Sequence, residues 1–160
     1  MYRKIERTIS PAPDRPLFIW DGECGFCHYW VLRWRMMTVN KVDFEKYQDV
    51  AAQFPDIPVK RFQQASQLIG PDGRVFSGPN AFFRTLTYMD NKRWSFLFDW
   101  YEKKDWFSRL TDDVYHWIAR HRPFMYRLTR LLWGKNPRDP KPYWIAYISA
   151  LVVAVIMLAL

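Results

Sequence analysis

The sequence lacks several features that would place it in a common functional class. It contains neither a GxGxxG nor a Walker motif, so no nucleotide-binding site is indicated. Internal repeats and low-complexity segments are absent, and nothing at the N-terminus resembles an export signal. Cysteine is scarce, because Cys24 and Cys27 are the only two among 160 residues. Any thiol chemistry of the chain therefore belongs to this pair.

Acidic residues are few in the C-terminal part of the chain. The formal net charge is +8, and residues 120–141 hold seven Lys or Arg against the single acid Asp139, or +6 of that total. A local basic block is typical of a surface that binds nucleic acid or anionic lipid.

Charge is missing altogether from residues 143–160. An 18-residue helix rises about 27 Å, which just spans a hydrocarbon core. The adjacent basic block favours lipid over nucleic acid, and the positive-inside rule places residues 1–141 in the cytoplasm. The sequence thus predicts a single-pass transmembrane helix at 143–160 in the cell membrane, lipid contact through residues 120–160, and no nucleic-acid partner. A core helix buried in a larger protein is the alternative.

Apolar periodicity predicts a strand that runs into a helix at the cysteines. Residues 16–20 form a short apolar run typical of a buried strand, which stops at Asp21-Gly22. Helical spacing begins at Cys24, and its apolar positions are Phe26, Trp30, Trp34 and Met37. The two cysteines are therefore predicted at the start of a helix.

The following segments complete an α/β pattern. Residues 42–45 alternate like a strand, residues 47–54 have helical spacing, and two strands flank the turn at 70–73. A helix begins at Pro79, and another is predicted from Thr111. The order β-α-β-α-β-β-α predicts a thioredoxin-like domain with additional C-terminal helices and the transmembrane helix. The predicted division is a lead-in at 1–15, this domain at 16–134, a basic Pro-rich linker at 135–142, and the apolar helix at 143–160.

The spacing of Cys24 and Cys27 fits thiol–disulfide exchange. Backbone N–H groups at a helix N-terminus stabilise a thiolate, which is the attacking species. We expect Cys24 to attack, because it is nearer the helix end and more exposed, and Cys27 to resolve the mixed disulfide. Asp21 either moves protons or holds the turn. No cofactor is expected.

Zinc binding is the alternative chemistry for the cysteines. His116 and His121 have the spacing of a ligand pair, and with the two cysteines they would provide four ligands. Their distance along the chain is far beyond that of a zinc finger, so no metal site is predicted. His28 follows Cys27 and is interpreted as an exposed helix residue.

The segment from Phe18 to Cys27 resembles the signature of the DCC family of thiol–disulfide oxidoreductases, which is named for an Asp and two Cys. Residues 66–76, 77–81 and 114–122 resemble the family's hairpin, next helix and late helix with an Ala-x-x-Arg ending. The resemblance covers residues 16–134 and implies a thioredoxin-like fold and dithiol–disulfide activity. Two departures stand out: the apolar tail is an addition, and Ala65-Ser66 takes the place where thioredoxins have a cis-proline.

Three functions are consistent with these features. The main prediction is a membrane-tethered thiol–disulfide oxidoreductase, acting as a protein-disulfide reductase on a disulfide- or dithiol-bearing protein or a small thiol. The second is a non-enzymatic membrane adaptor whose CxxC is a structural or zinc-binding clip. The third is a redox-regulated subunit of a membrane complex.

Overall fold

A four-stranded mixed sheet forms the centre of the molecule. The computed structural model describes residues 5–159, and its strands are β1 (Leu17–Trp20), β2 (Asp43–Lys46), β3 (Gln67–Ile69) and β4 (Val75–Ser77). The order across the sheet is β2-β1-β3-β4. Strand β1 pairs with β2 in parallel and with β3 antiparallel, and β4 closes an antiparallel hairpin with β3.

Helices surround this sheet and extend beyond it. In chain order they are α1 (Gly25–Thr38), α2 (Tyr47–Val50), α3 (Val59–Gln64), α4 (Pro79–Leu86), α5 (Phe96–Lys103), α6 (Asp105–Arg120), α7 (Arg122–Trp133) and α8 (Tyr143–Ala159). The mixed sheet and its helices fit a thioredoxin-like fold, so this part of the predicted architecture is confirmed. Helix α3, which lies between the predicted second helix and third strand, was not predicted.

Strand β1 is buried on both faces, which explains its unbroken apolar sequence. Leu17 and Ile19 join a cluster with residues of α3 and the segment before it, including Ile57 and Phe62. Phe18 and Trp20 point the other way. They join a second cluster with residues from α1, the flanking strands and α4 (Val31, Val42, Phe44, Leu68, Phe76 and Ala81). The end of β1 is thereby fixed from both sides, directly before the cysteines.

The predicted transmembrane helix is wrong. Between residues 5 and 159, no helix combines the length and apolarity needed to cross a membrane. The predicted single-pass location in the cell membrane, with a cytoplasmic redox domain, is overturned with it. Leu160 lies outside the described residues. The predicted contact of residues 120–160 with lipid remains a prediction. The predicted division into a lead-in, a domain and a linker also remains a prediction.

Candidate active site

Cys24 caps the N-terminus of α1, directly after the turn that leaves β1. Its backbone is extended (φ −87°, ψ 106°), and its N–H donates to the carbonyl of Asp21 at 3.1 Å. The Cys24 Sγ accepts a hydrogen bond from the backbone N–H of Cys27 at 3.2 Å. A sulfur in this position satisfies one of the unpaired N–H groups of the helix. The predicted start of a helix at the cysteines is confirmed.

Cys27 lies one turn further along α1 and faces the first cysteine. Its thiol donates to the Cys24 Sγ, and the two sulfur atoms are 2.6 Å apart. Both cysteines are free thiols. Over the whole residue Cys24 is only 9 % exposed, whereas Cys27 is half-buried. The surroundings of the two thiols give the opposite order, with the Cys27 thiol the more deeply buried, so the expectation that Cys24 is the more exposed of the two holds for the thiols and not for the whole residues.

The pKa values of the two thiols are shifted in opposite directions. The hydrogen bond from the Cys27 thiol, aided by the Cys27 N–H and the charge of Arg122, lowers the pKa of Cys24 from 9.0 to about 7, against the effect of burial. The hydrogen bond to Cys24 and burial raise the pKa of Cys27 well above its ordinary value. Near neutral pH, one member of the pair is thus a thiolate for a large fraction of the time, and the other stays protonated.

Arg122 supplies a positive charge to this site, although it comes from the start of α7. Its Nη1 donates to Asp21 Oδ2 at 3.0 Å, and its Nη2 donates to the carbonyls of Gln63 and Gln64 at 3.2 and 3.3 Å. Its charge lowers the pKa of both cysteines. From the sequence, Arg122 was assigned to the basic block and to the helix ending of the family resemblance, but not to the cysteine site. The signal that could have identified it is the Arg of the Ala-x-x-Arg ending.

Asp21 is held by several partners that together fix the turn. Besides the ion pair with Arg122, its Oδ1 accepts from the N–H of Glu23 at 3.2 Å and from Gln48 Nε2 at 3.1 Å. Gln48 Oε1 accepts in turn from the N–H of Gly22 at 3.1 Å. Of the two roles open to Asp21, these contacts favour the positioning of the turn.

The segment before β3 closes another side of the site. Ser66 donates its N–H to the hydroxyl oxygen of Tyr115 at 3.1 Å, and its carbonyl accepts from the N–H of Gly78 at 2.8 Å. The described residues contain no cis peptide bond. A proline has no N–H, whereas Ser66 has one, and Tyr115 of α6 satisfies it. Burial raises the pKa of Tyr115.

Two neighbouring cavities lie on the Cys27 side of the site. A small pocket of about 50 Å³ is bounded by Cys27, Ser66, Tyr115 and Arg122 together with apolar side chains of α1 and α6. An open groove of about 440 Å³ lies next to it between α1, α4 and α6. We call the latter the apolar groove; it is lined by Phe26, Trp30, Trp34, Pro79, Phe82, Phe83, Leu110, Thr111, Val114, Tyr115 and Ile118. The site thus opens onto an apolar surface.

The three histidines do not join the two cysteines in one site. The ring of His28 is exposed and stacks on Trp20 with centroids 5.6 Å apart. His116 and His121 line a separate cleft of about 820 Å³ beside Arg120 and Arg122. Across residues 5–159, no three or more His, Cys, Asp or Glu side chains come together as a metal site. The four ligands of the zinc alternative are therefore not assembled.

The comparisons with known proteins agree with this geometry. The model of one protein family, described as DCC1-like thiol-disulfide oxidoreductase, matches residues 18–128. The matched range begins in β1, contains both cysteines and ends within α7, so it includes Arg122. Neither the comparison with curated proteins nor that with solved structures found a match. Because the family model covers more than half of the sequence, the chain belongs to the DCC1-like thiol-disulfide oxidoreductase family.

Proposed function

We propose that the chain is a protein-disulfide oxidoreductase in which Cys24 attacks a substrate disulfide and Cys27 resolves the intermediate. Membership of the family supports a redox role for the CxxC pair. The observation that carries the assignment of roles is the pair of hydrogen bonds from Cys27, one from its N–H and one from its thiol, to the Cys24 sulfur. Both donors stabilise negative charge on Cys24 and leave Cys27 protonated.

The exchange has two steps. The Cys24 thiolate attacks one sulfur of the substrate disulfide, forms a mixed disulfide with it, and releases the other half as a thiolate that takes a proton from water. Cys27 then attacks the Cys24 sulfur, and its proton passes to the departing substrate sulfur, so the second half is released as a thiol. The substrate gains two electrons and two protons, and the chain gains a Cys24–Cys27 disulfide. A dithiol returns it to the reduced form, and the same steps in reverse oxidise a dithiol substrate.

The pKa of Cys24 suits an attacking thiol. Exchange is fastest when this pKa lies near the ambient pH, because a lower value weakens the nucleophile and a higher value leaves it protonated. A value of about 7 meets that condition. Arg122 supports the thiolate by its charge, and Asp21 acts by holding Arg122 and the turn. Asp21 is thus proposed as a positioning residue in the catalytic set that includes Cys24 and Cys27.

The proposal is tested by the thiol–disulfide equilibrium of the full chain in glutathione buffers, with Cys24 and Cys27 monitored by alkylation. The expected result is a reversible two-electron transition that is lost in both Cys24→Ser and Cys27→Ser. Thiols that stayed inert, or that reacted only after a chelator removed a metal, would contradict the enzyme and favour the adaptor whose CxxC is a clip.

A further inference from the structure

We propose that this thiol site selects disulfides in which a bulky apolar side chain lies next to the attacked cysteine, and that the apolar groove binds this side chain. The inference rests on the proposed function, because it names the substrate class of the same site. The occupant is a segment of a peptide or protein disulfide rather than a small hydrophilic one such as glutathione disulfide.

The groove adjoins the small pocket beside Cys27. That pocket, which Cys27 and Arg122 also line, has five lining residues in common with the groove. The shared residues are Phe26, Trp30, Trp34, Tyr115 and Ile118. Phe26 lies between the two cysteines in sequence and packs edge-on against Trp30, with ring centroids 6.5 Å apart. The two thiols are 2.6 Å apart, so a substrate sulfur at Cys24 also lies beside Cys27 and its pocket, with the groove within reach of a neighbouring side chain.

The rim of the groove is apolar and open to solvent. Leu110 and Val114 are one turn apart on α6 and are 54 % and 49 % exposed. Burial of an aromatic or branched side chain removes apolar surface from water on both partners, which favours such a ligand by about tenfold or more. The only polar residues of the lining are Thr111 and Tyr115, and the Tyr115 hydroxyl already accepts from Ser66. The groove thus distinguishes its ligands by apolar burial.

The backbone N–H of Ser66, at the place where thioredoxins have a cis-proline, already has a partner within the chain. It donates to Tyr115, and the Ser66 carbonyl accepts from Gly78. A substrate that accepted from the Ser66 N–H would have to displace the Tyr115 hydroxyl, although the carbonyl retains a second lone pair. Side-chain burial in the groove requires no such loss, so the specificity of this site is expected to come from side chains.

The test measures single-turnover oxidation of the reduced full chain by two peptides, each with one cysteine capped by 2-mercaptoethanol. The cysteine is flanked by Phe and Leu in one peptide and by two Ser in the other, and hydroxyethyl disulfide serves as a probe of the chemistry alone. The expected second-order rate constant is about tenfold higher for the apolar peptide. Equal rate constants for the two peptides would overturn the inference.

Two variants at the rim and one matched control locate the effect. Leu110→Asn makes the rim polar and Val114→Trp fills the groove, and each is expected to lower the preference for the apolar peptide about threefold or more. The rate with hydroxyethyl disulfide is measured for each variant, and the loss is scored as the ratio of the two peptide rates after division by it. Leu131→Asn makes the same substitution as Leu110→Asn at an equally exposed leucine of α7, 56 % exposed, that does not line the groove. An equal loss of preference in Leu131→Asn would overturn the assignment of the groove.

The remaining outcomes separate the two proposals. No reaction with any of the three disulfides would overturn the proposed function and the inference together. Reaction with hydroxyethyl disulfide but no preference between the peptides would overturn the inference alone. A preference that disappears as the protein concentration is raised would show that a second copy fills the groove, which also contradicts a substrate site.

Discussion

The guanidinium of Arg122 and the carboxylate of Asp21 are 3.0 Å apart, although 101 residues separate them in the sequence. Both side chains are only 20 % exposed. The pair ties the start of α7 to the turn before Cys24 and places a positive charge close to both thiols. The acidity of Cys24 therefore depends on a contact between the two ends of the matched domain.

Removal of the Arg122 charge should make Cys24 less acidic. In Arg122→Gln the pKa of Cys24 is expected to rise, because Asp21 remains and its negative charge opposes the thiolate. At pH 7 the rate of alkylation of Cys24 should fall roughly two- to fivefold. The matched control is Arg120→Gln, which removes a charge two residues away on an exposed side chain. If Cys24 were alkylated at the wild-type rate in both variants, the role assigned to Arg122 would be wrong.

The thiol of Cys27 should account for much of the low pKa of Cys24, since its hydrogen bond is the largest cause. In Cys27→Ala the midpoint of the pH profile of Cys24 alkylation should move from about 7 toward 9.0. Cys27→Ser retains a hydroxyl donor and should cause a smaller rise, which makes it the matched control. Identical midpoints in the two variants would show that the side-chain donor does not matter.

The stability of the reduced chain should depend on pH through Cys24. Its pKa is lower in the folded state, about 7, than the ordinary value of 9.0, so the folded state binds fewer protons between these pH values. The lowered pKa of Cys24 therefore adds nothing to the free energy of unfolding below pH 7. Its contribution grows between pH 7 and 9 and amounts to about 1–2 kcal/mol. Urea unfolding of the reduced chain at pH 6.0 and 8.5 measures it, with Cys24→Ser as the control. A wild-type difference no larger than that of the control would contradict the assigned acidity.

Loss of the Tyr115 hydroxyl should destabilise the segment before β3. Tyr115→Phe leaves the N–H of Ser66 without its partner, which costs about 1–2 kcal/mol of unfolding free energy. Tyr88→Phe is the matched control, because the Tyr88 ring packs on Arg84, 5.1 Å from its guanidinium carbon, away from this segment. Chemical denaturation of both variants gives the comparison, and equal stabilities would show that Ser66 finds another partner.

The parts of the fold that local pattern determines could be predicted from the sequence. The apolar run at 17–20, the turn at 70–73 and the helix start at Cys24 each have a local cause, and the structure has each in the predicted place. The site contact of Arg122 could not be derived from spacing, because it depends on how α7 packs against α1.

Two errors have different physical reasons. The predicted helix start at Thr111 is wrong, because α6 already begins at Asp105, and the Thr111 hydroxyl donates back to the carbonyl of Phe107 within the helix at 2.8 Å. The apolar segment of α8 was correctly predicted to be a helix, but its apolarity was interpreted as a membrane span, whereas no helix within residues 5–159 is long and apolar enough to be one.

The order of attack by the two cysteines is tested most directly by trapping the mixed disulfide. Reduced Cys24→Ser and Cys27→Ser variants of the full chain are mixed with a peptide disulfide, quenched with acid and analysed by mass spectrometry. Cys27→Ser is expected to accumulate the peptide on Cys24, because no thiol remains to resolve it. Cys24→Ser is expected to accumulate little, because burial still raises the pKa of Cys27 after its hydrogen bond to the Cys24 sulfur is lost. Accumulation on Cys27 that equals or exceeds that on Cys24 would contradict the assignment of Cys24 as the attacking thiol.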